Sequence, residues 1–399
     1  MLSDETHKAT ASRTASSVHD VSAEKPPFGS RLLTLEADVW SQNAWDHVPP
    51  PDDQDEIINA ALARQKLAPV PEDEKQKYNE KPAKHWDNFY KMNANNFFKN
   101  RKWLHLEFPE LVHATQPEAG AVTIAEIGCG AGNAVFPILS SNKNPHLSLR
   151  AYDYSSHAVK LVQTNPLYTS PPVGSIKAAV WDLSSSELPP DVTPESVDVI
   201  VLVFVLSALH PHEWQRAVGN IHKMLKPGGL VLLRDYGRHD LTQLRFKGGR
   251  LLDENFYIRG DKTRVYFFEL DELALLFTGS LAPSSSKINN HVTVVEEDDG
   301  DSGGTTDQRS ALPSSSPGPS SPQPLEPEVT VQAHEDGTVT PSLSDQIHPC
   351  LRSVLTSEGT VSLFSIEQLG VDRRLIVNRK RQLKMYRVWM QAKFRKLPS

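Results

Sequence analysis

The segment Val122-Thr-Ile-Ala-Glu-Ile-Gly-Cys-Gly-Ala-Gly132 limits what this chain can fold into more than any other stretch. An apolar run ends in glycines at 128, 130 and 132, spaced G-x-G-x-G. The run reads as a strand, and the glycines let the backbone turn sharply and approach a ligand closely. The spacing is not the G-x-G-x-x-G of dinucleotide folds. No Lys follows the loop to grip phosphates, which argues against a P-loop NTPase.

The surrounding pattern agrees. LSLRAYDY, IKAAVWDL, VDVIVLVFVL and GGLVLLRDYG are short β-rich runs separated by helical stretches such as SHAVKLVQTN and HEWQRAVGNIHKML. Strands alternating with helices imply βαβ units and a parallel sheet. NFYIRGDKTRVYFF (255–268) reads as a β-hairpin turning at RGDK. FSIEQLGVDRRLIV and KMYRVWMQAKF read as two final strands completing the sheet. Upstream, DEIINAALARQKLA (55–68) has helical spacing, with Ile58, Leu62 and Leu67 roughly on one face, and Pro69 and Pro71 stop it. Residues 84–111 read as helical with an aromatic face. The expected organisation is a disordered tail at 1–30, an N-terminal extension at 31–115 and a core at 116–280. A Ser/Pro/acid-rich disordered insertion follows at 281–358, then the final strands with a basic C-terminus at 359–399.

Composition adds exclusions. Of 399 residues 38% are hydrophobic and 30 are Pro, so part of the chain is expected to lack a core. Two cysteines, Cys129 and Cys350, rule out a disulfide scaffold and a Cys-built zinc site and suit a reducing compartment. His210-Pro-His212 has no third ligand in view, so no metal site is expected. The N-terminus shows no apolar h-region, and the longest apolar run, Val199 to Leu206, is far too short for a bilayer span. A cytoplasmic protein without a membrane segment is expected; Asp4 and Glu5 count against a mitochondrial presequence, which Ser, Thr and Arg at 10–17 would suit. The formal net charge is −7, yet ten Lys/Arg and one acid lie between Asp372 and Ser399, and a second basic stretch runs from Arg234 to Arg264. Aromatics are interleaved with the first, which suits a nucleic-acid surface or an ordinary terminal strand.

Two acids sharpen the glycine loop. Asp153 ends the second strand, where a carboxylate can accept from a ribose diol, and Asp182 ends the third, within reach of an adenine amine. The combination resembles the class I methyltransferases that bind S-adenosylmethionine, and the Lys226-Pro-Gly-Gly turn before the fifth strand fits the same fold. That resemblance implies a seven-stranded Rossmann-like α/β sheet with helices on both faces, an N-terminal helical extension and a long disordered insertion before the last two strands. HWDNFYKMNANNFFKNRKWLHLEFPEL, FVLSALHPHEWQ, LKPGGLVLLRDYGRHDLTQLRFKGG, NFYIRGDKTRVYFF and VDRRLIVNRKRQLKMYRVWMQAKF further resemble the tRNA N3-methylcytidine methyltransferases, over roughly 84–280 and 364–396. The box VWSQNAWDHV (39–48) resembles the subgroup whose targets include threonine tRNA.

The resemblance implies methylation of cytidine 32 in a tRNA anticodon loop, with the extension serving as cofactor lid and tRNA-binding element. It makes Trp86 and Tyr90 cofactor contacts; four residues apart, they share a helix face. Gly128, with Gly130 in the same loop, would meet the methionine end, Asp153 the ribose, Asp182 the adenine side, and Val203 would form an apolar wall. Cytosine N3 is a neutral nucleophile, so alignment is the protein's main task. Asp235, at the end of the fifth strand, is the candidate to accept from the cytosine N4 amine and offset the charge on the product ring; a salt bridge to Arg234 or Arg238 is the alternative. Tyr236, Phe97 or Phe98 would stack on an extruded base. Arg101, Arg245, Lys247, Arg373, Arg374 and Arg379 are candidates for phosphate contacts. Family members can require a partner, such as an aminoacyl-tRNA synthetase or another auxiliary protein. The competing readings are a class I methyltransferase acting on protein or a small molecule, and a non-catalytic RNA-binding scaffold.

Overall fold

The computed structural model describes residues 31–34, 36–46, 48–101, 103–284, 286, 346–356 and 362–398. The disorder expected at 1–30 and through 287–345 falls outside them. Eleven strands are described: β1 (Ala44–Asp46), β2 (Val122–Ile127), β3 (Leu147–Asp153), β4 (Ser175–Val180), β5 (Val197–Val203), β6 (Leu225–Tyr236), β7 (Leu251–Asp253), β8 (Phe256–Ile258), β9 (Arg264–Tyr266), β10 (Phe364–Asn378) and β11 (Leu383–Lys396). Eight form one sheet in the order β1-β10-β11-β6-β5-β2-β3-β4. The strands from β2 to β6 run parallel, and β11, β10 and β1 add antiparallel.

Apolar residues on both pleats make this a two-faced sheet. Ile200 and Leu202 of β5 enter one core with Trp214, Leu273 and Phe394, while Val199, Val201 and Val203 enter the other with Phe108, Leu139 and Val162. A central parallel strand buried on both sides needs this near-continuous hydrophobic run, which is why β5 was legible. Its carboxyl end, with those of β2 and β3, points to the glycine loop.

The sheet has eight strands where seven are expected. The extra one is β1, paired through Ala44↔Ile376 and Asp46↔Arg374. Trp45 packs there with Leu375 and Val377, so the tryptophan box covers an otherwise open edge. The expected hairpin is present as β8–β9, and β7 extends it to a separate three-stranded sheet.

The extension differs more from expectation. Helix α1 (Gln54–Leu67) forms, but it buries Ala61 and Gln65, while Leu67 is 87% exposed. Gln65 donates to the Gln243 carbonyl at 2.8 Å and accepts from Tyr257 Oη at 2.9 Å. After the prolines a second helix, α2 (Glu72–Asn79), starts with three acids that suit its positive end. The long helix expected at 84–111 is broken into α3 (Pro82–Asn93), α4 (Leu104–Glu107) and α5 (Pro109–Ala114). Ala94 ends α3 at φ 48°, ψ −127°, in the Asn-rich stretch Asn93-Ala-Asn-Asn96, and Pro109 opens α5. Two further helices flank the site: α6 (Val135–Ser141) and α7 (Ser156–Gln163).

The insertion expected to run to 358 ends earlier. Residues 346–356 return to the core and include a helix at Pro349–Thr356, with Ile347 and Leu351 buried. Glu272 Oε1 accepts the His348 N–H at 2.9 Å, and Arg238 donates to the Gln346 carbonyl. None of the described helices is long and apolar enough to cross a membrane.

Leu351 is fully buried, so Leu351→Ala is expected to lower unfolding free energy by about 2–5 kcal/mol in urea titration. Leu67→Ala, on the exposed side of α1, is expected to stay within about 0.5 kcal/mol.

Candidate functional site

Gly128, Gly130 and Gly132 turn the chain from β2 toward α6 with φ of 66°, 53° and 83°. At Gly130 this is obligatory twice over. A Cβ there would stand 2.4 Å from Tyr90 Oη, and at Gly128 a Cβ would stand 2.6 Å from Val205 Cγ2. The loop is therefore closed from above by α3 of the extension. Asp153 holds it from the side: one carboxylate oxygen accepts the Gly130 N–H at 2.9 Å, the other the Ser155 N–H at 2.8 Å. Burial pushes the Asp153 carboxyl up to about 6, and these two hydrogen bonds act in the opposite direction.

A cavity open to solvent lies over this loop. Six of the seven cofactor-side residues expected from the sequence line it together, Trp86, Tyr90, Gly128, Asp153, Asp182 and Val203, while Gly130 lies beneath Tyr90. Trp86 and Tyr90 share a face of α3, with ring centroids 6.0 Å apart. Asp182 fixes the turn after β4, accepting from the Ser184 N–H and hydroxyl, both at 2.8 Å. The Tyr154 hydroxyl is buried against the same cavity and has no partner among the described residues. A cleft with an unpaired hydroxyl, two carboxylates at strand ends and a loop without Cβ atoms fits the adenosyl group and amino-acid tail of S-adenosylmethionine.

The sequence did not reveal what holds α3 down. Asp87, between Trp86 and Tyr90, accepts from the Ser155 hydroxyl at 2.7 Å and from the His157 N–H at 3.1 Å, at the start of α7. Asn133 Nδ2 donates to the Phe98 carbonyl, and the Arg101 N–H donates to the Asn133 carbonyl at 2.8 Å. Such long-range contacts leave no local pattern to read.

The RNA-side residues divide. Tyr236 and Phe98 line the cavity. Phe97 is 39% exposed and meets Phe89 and Phe98 edge-on. Arg245, Lys247 and Arg379 are exposed, as phosphate contacts must be, and Arg373 is half-buried. Arg101 is not on an outer face: it lines the cavity 3.6 Å from Glu126, whose carboxyl burial pushes up to about 7. Arg374 is corrected outright, because Asp46, Glu107 and Asp372 engage its guanidinium within 3.4 Å.

Asp235 is corrected too. It is 1% exposed, stands behind the cavity wall and pairs with neither neighbouring arginine. Its carboxylate accepts the Ser207 N–H at 3.0 Å and the Tyr236 N–H at 2.8 Å. It acts through the loop after β5, whose Phe204, Val205, Ser207 and Ala208 line the cavity, and so is a positioning residue. His210 caps the short turn Pro211–Glu213, and its ring lies 5.1 Å from that of His212. Phe204, Ser207, Tyr154 and Arg259 are lining residues that the sequence reading missed.

The match to a methyltransferase domain model covers residues 125–231. The tRNA(Thr) (cytosine(32)-N(3))-methyltransferase of Saccharomyces cerevisiae is 41% identical over 369 residues; the match covers 92% of this chain and 45% of that protein. This chain thus spans less than half the length of the budding-yeast relative. The tRNA N(3)-methylcytidine methyltransferase trm140 of Schizosaccharomyces pombe is 40% identical, with 92% of each chain covered. The tRNA N(3)-cytidine methyltransferase METTL2 of Danio rerio is 36% identical over 96% of this chain and 94% of its own.

Gly130→Ala is expected to weaken binding of S-adenosylhomocysteine more than tenfold by calorimetry, since Tyr90 and the φ of 53° both oppose a Cβ. Protonated Asp153 cannot accept from both hydroxyls of a diol. Affinity is therefore expected to fall, by up to about tenfold per pH unit, as pH drops below about 6. Asp153→Asn is expected to bind weakly with a flatter pH profile.

Proposed function

The chain belongs to the tRNA N3-methylcytidine methyltransferases, and from that premise we propose that it methylates N3 of cytidine 32 in the anticodon loop, with threonine tRNA among its substrates. The observation that carries the reading is one cavity holding both halves of such a site. Asp153, Asp182 and the glycine loop lie on one side, and Phe204 and Tyr236 on the other. Bound S-adenosylmethionine supplies a methyl group on a sulfonium leaving group.

The chain's own residues supply placement. Asp153 and Asp182 hold the adenosyl end from two strand tips. Gly128 and Gly130 let Val205 and Tyr90 close directly onto the loop beneath the tail. Because cytosine N3 has an in-plane lone pair at neutral pH, no side chain has to remove a proton before transfer. The residues facing the base must instead keep it flat, dry and aligned. The apolar wall of Val203, Phe204 and Val205 excludes water, and the Phe204 and Tyr236 rings, packed together with centroids 4.6 Å apart, form the aromatic surface against which a flipped base lies. Asp235 keeps that surface in shape by tying Ser207 to the end of β6.

We further propose that an aminoacyl-tRNA synthetase or other auxiliary protein, where one is used, presents the tRNA and does not complete the cofactor site. The support is that one chain supplies every wall described above.

Purified protein with S-adenosylmethionine and bulk tRNA is expected to produce 3-methylcytidine, detected by nucleoside mass spectrometry, and Asp153→Ala is expected to abolish it. Asp235→Asn is expected to lower turnover while S-adenosylhomocysteine affinity changes less than about threefold. Methylation of protein or small molecules with tRNA untouched would overturn the reading.

A further inference from the structure

Arg259 stands out among the arginines near the cavity. Arg234, Arg238, Arg264, Arg374 and Arg387 each have a carboxylate within ion-pair distance. Arg259, among the described residues, has neither an ion-pair partner within 4.0 Å nor a hydrogen-bond acceptor for its guanidinium. It lines the cavity and lies over the Tyr236 ring, 5.3 Å from the centroid. The nearby Asp235 carboxylate acts on it through space, beyond ion-pair distance, and its own hydrogen bonds go to Ser207 and the Tyr236 N–H.

The turn that carries Arg259 is built to present it. The Arg259 N–H donates to the Thr263 carbonyl at 2.8 Å, and Asp261 accepts from the Thr263 N–H and hydroxyl at 2.9 and 2.7 Å. Arg250 Nη1 donates to the Arg259 carbonyl at 3.3 Å. The backbone between β8 and β9 is thus held by hydrogen bonds, whereas the guanidinium rests only on the Tyr236 ring among the described residues.

Charge decides what the guanidinium is for. The methylated cytosine ring is a cation, so a lone positive charge beside it would oppose the transfer. Donation to the base itself would draw electron density from N3. The guanidinium must therefore be neutralised by something that arrives with the substrate, and the anion an RNA brings is its phosphodiester. We propose that Arg259 takes a phosphate flanking the extruded nucleotide. It leaves the Tyr236 face as it does so and vacates the surface on which the base then stacks. This rests on the tRNA reading above and adds a residue to it.

The test uses the full-length protein and anticodon stem-loop RNAs carrying one neutral methylphosphonate linkage on the 5′ or the 3′ side of the target cytidine. For wild type, one of the two is expected to weaken binding roughly tenfold relative to the all-phosphodiester RNA. For Arg259→Gln the same linkage is expected to have almost no effect, and the slope of log affinity against log salt is expected to fall by about 0.7. Arg259→Lys is expected to fall between. S-adenosylhomocysteine affinity and melting temperature are read alongside to show that each variant is folded. If both linkages cost wild type and Arg259→Gln equally, Arg259 touches no phosphate there and the proposal fails. If wild type neither binds nor methylates the unmodified RNA, the tRNA reading fails first.

Discussion

One buried cation joins the parts of this molecule that lie farthest apart in sequence. Arg234, near the end of β6, is 3% exposed and hydrogen-bonds Asp372 of β10 and Gln391 of β11, with Glu107 of α4 at 3.5 Å. Its guanidinium lies between two indoles, 4.8 Å from Trp103 and 4.7 Å from Trp389. Removing such a group from water costs several kcal/mol, which only near-complete satisfaction of its donors offsets. Extension, core strand and C-terminal hairpin must therefore all be in place together. Arg374 extends the cluster to Asp46 of β1, where burial pushes the carboxyl up to about 6. Of the next two residues of β6, Tyr236 lines the cavity and Asp235 stands behind its wall, so the clamp sets where the substrate side begins.

What the sequence disclosed was mostly what is periodic. The five parallel strands and the final hairpin carry apolar runs long enough to read, and the glycine loop with Asp153 and Asp182 carries a spacing tied to one geometry. What stayed hidden depends on partners far along the chain. Ala44–Asp46 is too short to read as a strand and exists because β10 offers it an edge. Leu351 falls inside the stretch expected to be a Ser/Pro/acid-rich insertion, and it is buried in the core that includes the helix at Leu270–Thr278. Arg373-Arg374 looked like a phosphate pair, but adjacent residues on a strand face opposite ways, and Arg374 falls among three carboxylates. Asp235 was found from its place at a strand end, while its hydrogen bonds give it a different role.

The site is correspondingly divided. Its cofactor side is made almost wholly by the parallel core, where strand ends and a glycine turn would form in any sequence of this class. Its other side joins Phe204 and Tyr236, at the ends of β5 and β6, to additions to that core: Phe98 after α3 and Arg259 of the β8–β9 turn. The extension bridges the two, because Tyr90 closes the glycine loop while Phe98, eight residues on, faces the same cavity from the mouth. Asp87 makes this bridge dependable by anchoring α3 to the start of α7, so the lid is carried by the same helix terminus that Asp153 helps to fix.

At the seam between the halves the backbone itself is strained. Phe204 has φ of 60°, a conformation that bulky side chains rarely adopt and that costs on the order of 1–3 kcal/mol. Two bonds to consecutive residues of β6 hold it there: the Phe204 N–H donates to the Arg234 carbonyl at 2.8 Å, and the Ser207 N–H to the Asp235 carboxylate at 3.0 Å. The turn sends β5 away from the sheet and brings the Phe204 ring to 4.6 Å from Tyr236. A glycine would relieve the strain but would remove the ring that packs on Tyr236. The strain is thus the cost of placing an aromatic side chain where a relaxed chain would put none, and the clamped end of β6 makes that placement rigid.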